Sequence, residues 1–141
     1  DQSLLDTDIL SEVLKARDSN VVTWATTYKQ QFERLTISSI TVMEVVKGIH
    51  KAGQPASLQR FLTALHSSEI LVFDAAAAEI AGRIYGDLEH AGQPIGRADV
   101  MIAAIALTHN LTLVTGNLRH YERIREVGYS ELALGNWREA T

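Results

Sequence analysis

At 141 residues, with 46% hydrophobic and 21% charged residues, the chain has the composition of a folded domain, which excludes a disordered or fibrous protein. The net charge of −4 argues against a broad nucleic-acid surface that ignores sequence, because such a surface needs a basic stripe. The absence of Cys excludes disulfides and thiolate metal sites, so any metal would have oxygen or imidazole ligands, which favours Mg²⁺ or Mn²⁺ over structural zinc.

The chain shows no sign of membrane targeting or of internal division. No basic, apolar leader precedes the first predicted strand, and no apolar run approaches the roughly 18 residues that span a membrane. Repeats, low-complexity tracts and linkers are also absent. We therefore expect one domain over residues 1–141, located in the cytoplasm, with no membrane partner.

The first half of the chain alternates strand and helix signals. A short buried strand ends at Asp6 and is followed by an amphipathic helix. In a later helix, Thr41-Val-Met-Glu44 matches a capping box, in which the Glu side chain reaches back to the N–H of the cap residue. The predicted elements are strands over 3–5 and 35–38 and helices over 9–14, 20–32 and 40–51.

The second half continues the alternation. A helix from Gln54-Pro55 carries a predicted core stripe, and Asp74 is expected to cap a long Ala-rich helix that lasts to about His90. Alternating strands and helices imply parallel strands joined by right-handed crossovers, with ligands bound outside the carboxyl ends of the strands. The remaining predictions are a core stripe of Leu58, Phe61, Leu62 and Leu65, strands over 70–73, 111–114 and 130–134, and helices over 100–107 and 119–125.

Asp99 stands out because eight residues without a polar side chain, Val100 to Leu107, follow it directly. A helix that is apolar all round must be buried, so Asp99 is expected at the mouth of the core. One explanation is N-capping of that helix. The other is that this carboxylate joins further carboxylates to hold a metal ion.

The predicted topology brings four polar side chains to one edge of the sheet. Asp6 follows the first strand, Glu44 lies one turn into the helix after the second, Asp99 opens the helix before the fourth, and Asn117 follows the fourth. Clustered carboxylates repel one another unless a cation neutralises them. A hard divalent ion such as Mg²⁺ would do so, and would suit phosphodiester hydrolysis by activated water. For Glu44, the capping box is an equally good explanation.

Four segments together resemble the PIN-domain ribonucleases, and most of all the VapC-type toxins of toxin–antitoxin pairs. The resemblance implies a three-layer α/β/α sandwich with strand order 3-2-1-4-5, and an acidic cluster of Asp6, Glu44 and Asp99 that binds Mg²⁺, or Mn²⁺, with Asn117 beside it. It also implies a homodimer, inhibited by a cognate antitoxin, that cleaves RNA to leave a 5′-phosphate. The segments are LLDTDILSE, ISSITVMEVVKG, PIGRADVMIAA and LVTGNLRHYERI.

Two positions depart from that family's usual pattern. Asp8 stands where Asn is common, and Asn117 stands where many members have Asp. Because a neutral amide is a weaker ligand than a carboxylate, we expect a single ion before RNA binds. The five His residues lack HxxxH or HExxH spacing, so none is assigned a metal role. Asp8 and Glu12 are expected on a solvated helix edge, and the candidate substrate contacts are Thr7, Arg97, Thr115 and Arg119.

Two other functions compete with this interpretation. A PIN-like module that only binds a partner would explain Asn117. A phosphatase of the haloacid dehalogenase type would use Leu-Leu-Asp-Thr-Asp and Leu-Val-Thr-Gly-Asn, but it also needs a Lys late in the chain, and the last Lys is Lys51.

Overall fold

The computed structural model describes residues 1–140 and shows helices on both sides of short parallel strands. The predicted α/β class with a parallel sheet is confirmed. The strands are β1 (Ser3–Leu5), β2 (Thr36–Ser38), β3 (Glu69–Leu71), β4 (Thr112–Val114) and β5 (Leu134–Gly135). The helices are α1 (Thr7–Lys15), α2 (Ser19–Phe32), α3 (Ser39–Lys51), α4 (Pro55–Ala64), α5 (Ala75–His90), α6 (Arg97–Thr108) and α7 (Leu118–Glu126), with a 3₁₀ turn at Leu65–Ser67.

The strands lie in the predicted order 3-2-1-4-5, but the ladder of hydrogen bonds is interrupted in the middle. Strands β1, β4 and β5 form one parallel sheet and β2 and β3 form another, with β1 beside β2. The Tyr28 hydroxyl bonds both the N–H and the C=O of Ser3, at 3.1 and 3.3 Å. The Tyr28 hydroxyl therefore takes the place of strand hydrogen bonds at Ser3, on the side of β1 that does not pair with β4.

Two hydrophobic cores lie on opposite faces of the strands. Successive side chains of a strand point to opposite faces. Leu4 and Leu113 therefore pack with α5, α6 and α7, whereas Leu5 and Val114 pack with α1, α2 and α3. Helix α6 is buried along most of its length, as predicted from its apolar run. Because β1 and β4 pair in parallel, their carboxyl ends lie at the same edge of the sheet.

Three boundary or packing predictions were wrong. The fifth strand is Leu134–Gly135, not 130–134, because a turn closed by the Leu132 N–H on the Tyr129 carbonyl occupies the preceding residues. The third strand ends at Leu71, and the Phe73 N–H donates to Ser39 Oγ instead of continuing the ladder. In α4, Leu62 is 38% exposed, so only a narrow edge around Phe61 faces the core.

The residues after β5 pack firmly on α2. Trp137 is buried and stacks on Trp24, with ring centroids 6.2 Å apart. The indole N–H of Trp24 donates to the Glu139 carbonyl, and the Asn20 amide donates to the Arg138 carbonyl, each at 2.8 Å. Within residues 1–140, no helix has the length and apolar character that crossing a membrane requires.

Candidate active site

Asp6 is the most buried carboxylate of the predicted cluster, with 6% of its surface exposed. It follows β1 and caps α1, where Oδ1 accepts the Thr7 N–H at 2.9 Å. Its Oδ2 accepts the hydroxyls of Thr115 at 2.9 Å and Tyr121 at 3.1 Å. Asp6 therefore both caps α1 and places a carboxylate at the edge of the sheet.

Burial raises the pKa of Asp6 to about 6, and the nearby charges of Asp8 and Asp99 add to the increase. The hydrogen bonds from Thr115 and Thr7 stabilise the carboxylate and oppose this change. The opposing hydrogen bonds are too weak to restore an ordinary value. A cation placed here would relieve the repulsion between the carboxylates.

Asp99 lies in the first turn of α6, but it is not the helix cap. The cap residue is Gly96, in an extended conformation. In residues 1–140, the hydrogen-bond partners of the Asp99 carboxylate are His120 Nδ1, 3.1 Å from Oδ2, and the Tyr121 hydroxyl, 3.4 Å from Oδ1. The capping explanation for Asp99 was therefore wrong, and its side chain faces the carboxylate of Asp6.

Tyr121 joins the two carboxylates. Its side chain is fully buried, and its hydroxyl lies within hydrogen-bond distance of both Asp6 and Asp99. Burial and these two charges raise the pKa of Tyr121 far above its ordinary value, so the hydroxyl keeps its proton and acts as a donor. Since it carries one proton, it can donate fully to only one carboxylate at a time.

Glu44 is attached to the same edge through Thr7. Its Oε1 accepts the Thr7 hydroxyl at 2.5 Å, and that hydroxyl is 3.1 Å from Thr41 Oγ1. The capping-box prediction was wrong, because Ser38 caps α3 by accepting the Thr41 N–H at 3.0 Å. Across residues 1–140, no three His, Asp or Glu side chains are already grouped closely enough to hold a metal ion. Glu44 therefore lies near the Asp6–Asp99 pair without forming a closed shell with it.

Asn117 and His120 extend the site along the start of α7. The Asn117 amide nitrogen is 2.8 Å from His120 Nδ1, and the Asn117 N–H donates to Thr115 Oγ1 at 2.9 Å. Neither His120 nor Tyr121 was predicted from the sequence. The available signal was their spacing of three and four residues from Asn117, which brings them onto the same side as Asn117 when a helix begins directly after it.

Of the four candidate substrate contacts, the structure brings two to the acidic cluster. Thr7 and Thr115 each donate to a member of it. Arg97 is exposed and lies 5.6 Å from the centre of the Tyr85 ring, and Arg119 is exposed on α7. Among residues 1–140, neither arginine makes a hydrogen bond or ion pair with the acidic cluster.

The prediction that Asp8 lies on a solvated helix edge was wrong. It is half-buried, and its Oδ2 accepts the Gly116 N–H at 2.9 Å. The same oxygen is 3.5 Å from the guanidinium of Arg138. Its charge contributes to the raised pKa of Asp6, as expected for an additional negative charge beside the site.

We expect Tyr121→Phe to destabilise the metal-free protein at neutral pH by about 1.5–3 kcal/mol, because it removes a donor from the buried carboxylate of Asp6. Urea unfolding measures this loss. Tyr129→Phe is the matched control, since the Tyr129 hydroxyl donates to Asp87 at 2.6 Å in an exposed pair. A loss in Tyr121→Phe no larger than that in the control would contradict the structural role given to this hydroxyl.

Comparison with known proteins agrees with this geometry. The family model for the PIN domain matches residues 3–127. The chain therefore belongs to the PIN-domain family.

Within that family, its curated relatives include several proteins named as VapC nucleases. It is 33% identical to the tRNA(fMet)-specific endonuclease VapC of Shigella flexneri, over 86% of this chain and 90% of that protein. It is 34% identical to ribonuclease VapC2 of Haemophilus influenzae, with the same coverage. The resemblance to PIN-domain VapC proteins predicted from the sequence is confirmed.

Solved structures extend the likeness to the whole fold. VapBC2 from Rickettsia felis, bound to a promoter DNA fragment, has a TM-score of 0.82 at 28% identity, covering 97% of this chain and 99% of that chain. DNA-bound VapBC from Salmonella typhimurium has a TM-score of 0.81 at 30% identity, covering 96% and 98%.

Proposed function

We propose that this protein is a divalent-metal-dependent endoribonuclease that acts as the toxin of a toxin–antitoxin pair. The observation that carries the proposal is the meeting of Asp6 and Asp99, 93 positions apart in the chain, at one buried tyrosine hydroxyl. Two carboxylates this close together disfavour each other's charge, and a role in binding a catalytic metal ion, in a family with ribonuclease members, would explain why both are present.

The residues present suit a hard divalent ion. The donors are carboxylate oxygens with an amide and an imidazole beside them, and the pKa of Asp6 is raised first by burial and then by the charges of Asp8 and Asp99, so a bound cation would stabilise its charged form. Mg²⁺ usually keeps several waters, so it does not require three protein ligands in contact beforehand. Asp6 and Asp99 would hold the ion, with Glu44 as the third carboxylate. Because Asn117 is neutral and thus a weaker ligand than a carboxylate, we propose that the site holds a single ion before RNA binds.

In the proposed reaction, the chain's own groups position the acidic cluster. Thr115 and Thr7 hold the Asp6 carboxylate from two sides, while His120 and Tyr121 hold that of Asp99. When bound, a divalent ion supplies an activated water and neutralises charge that develops on the phosphate. Thr7 and Thr115 lie close enough to the cluster to contact the substrate as well.

The partners follow from the relatives. The solved neighbours include VapBC complexes, which supports a cognate antitoxin for this chain. The homodimer that the family resemblance implies is part of the same proposal. A toxin that cuts cellular RNA would act in the cytoplasm. The family assignment excludes the phosphatase alternative. A partner-binding module remains the second candidate, because the carboxylates are not already grouped as a complete metal shell in residues 1–140.

The test is cleavage of RNA by the purified protein. Because the Shigella relative is named as specific for tRNA(fMet), that tRNA is the first substrate to use, with unfractionated cellular RNA as the second. We expect cleavage in Mg²⁺ or Mn²⁺, none in EDTA, and products with a 5′-phosphate. Cleavage that persists in EDTA would contradict the metal mechanism, and intact RNA under every condition would favour the binding module.

A further inference from the structure

The guanidinium of Arg138 lies against the backbone of the site. A Cβ atom added to Gly116 would come within 1.8 Å of Arg138 Nη1 and 2.7 Å of Asp8 Oδ2. Gly116 stands between Thr115, which bonds Asp6, and Asn117. The glycine therefore makes room for an arginine from the far end of the chain at the rim of the acidic cluster.

This position is imposed by the packing around Arg138. Trp137 is buried against Trp24 on one side, and the backbone carbonyls of Arg138 and Glu139 accept bonds from α2. The backbone is thus held on both sides of the arginine. Its side chain can reach Gly116 at little cost in chain entropy, because the segment that carries it is already ordered.

The guanidinium retains hydrogen-bond donors for a ligand. Its nitrogens lie 3.5 Å from Asp8 and 3.9 Å from Glu12, which are ion-pair distances longer than ordinary N–H···O bonds. The side chain is 39% exposed. Guanidinium has five donors in a planar fork that matches the oxygens of a phosphate. Asp8 and Glu12 therefore hold the charge in place without using up its donors.

We propose that Arg138 binds a phosphate of the RNA backbone at the rim of the acidic cluster. This inference rests on the proposed ribonuclease function. The chain carries a net charge of −4, and carboxylates crowd the cluster, so approach of a polyanion is opposed there. A cation held at Gly116 reduces that opposition beside Thr115 and Asn117, which border the cluster.

The experiment measures binding of a fluorescein-labelled single-stranded RNA by anisotropy, with Ca²⁺ replacing Mg²⁺ and a gel confirming that the RNA stays whole. We expect Arg138→Ala to weaken binding roughly tenfold. The slope of log K against log salt should become shallower by about 0.7, the value for one phosphate contact on a single strand. Arg138→Lys should restore the slope but only part of the affinity. Arg83→Ala, in an exposed pair with Glu79, is the matched control and should change neither.

A second variant separates charge from position. Gly116→Ala keeps Arg138 but forces its guanidinium away, so it should weaken RNA binding in the same direction. If Arg138→Ala lowers the melting temperature while RNA affinity stays at the wild-type value, Arg138 only fastens the C-terminal segment and the inference is overturned. In that case, wild-type cleavage of RNA leaves the proposed function standing. Wild-type protein that neither binds nor cleaves RNA would overturn both.

Discussion

Asp99→Asn is expected to lower the rate of RNA cleavage by at least about a hundredfold. Loss of a group that only supports a metal ligand typically costs 10–100-fold, and Asp99 is proposed as a ligand itself. The Asn side chain keeps the volume and can still bond His120 and Tyr121, but it lacks the charge that attracts a divalent ion. The variant thus removes the negative charge proposed to bind the metal ion, with little change in packing.

Cleavage of tRNA in Mg²⁺, followed by gel electrophoresis, measures the effect. Glu79→Gln is the matched control, because it neutralises an exposed carboxylate whose partner is Arg83, and it should cleave like the wild type. The melting temperature of Asp99→Asn in EDTA should equal or exceed that of the wild type, since one source of repulsion on Asp6 is gone. Undiminished cleavage by the variant would exclude Asp99 from the metal site.

The metal-free protein should lose stability as the pH rises from about 4 to above 6, by about 3 kcal/mol from Asp6 alone. The pKa of Asp6 is about 6 in the folded chain, against 3.8 for an unperturbed carboxyl. Between these values the folded state binds more protons than the unfolded state, so stability falls with increasing pH. This pH dependence is opposite in sign to that of a carboxylate whose pKa is lowered by a salt bridge, which adds stability as the pH rises.

Urea unfolding in EDTA at about pH 4 and about pH 8 gives this difference, and Asp6→Asn should abolish most of it. Asn is the suitable replacement because Ala would remove the acceptor of the Thr7, Thr115 and Tyr121 bonds. Addition of Mg²⁺ should stabilise the wild type more at the higher pH, where Asp6 is charged. An equal effect of Mg²⁺ on Asp6→Asn would show that the ion binds elsewhere.

Much of the fold could be predicted because its causes are local. The alternation of strand and helix signals led to the parallel strands, and the apolar run after Asp99 led to a buried helix, whereas the strand order came from the family resemblance. Helix caps were less predictable. Ser38 and Thr41 have the same capping chemistry, and only the chain path at the end of β2 makes Ser38 the cap and Thr41 a buried neighbour of Thr7.

The sequence by itself determined that acidic residues follow the ends of neighbouring parallel strands, because strand direction and crossover handedness bring those ends together. Only the tertiary structure decided which other side chains complete the edge. Tyr121 meets Asp6 and Asp99, and Arg138 meets Gly116, across gaps of 22 or more positions in the chain. Such contacts depend on how α7 and the C-terminal segment pack on the sheet, and packing is a property of the whole chain rather than of any local pattern.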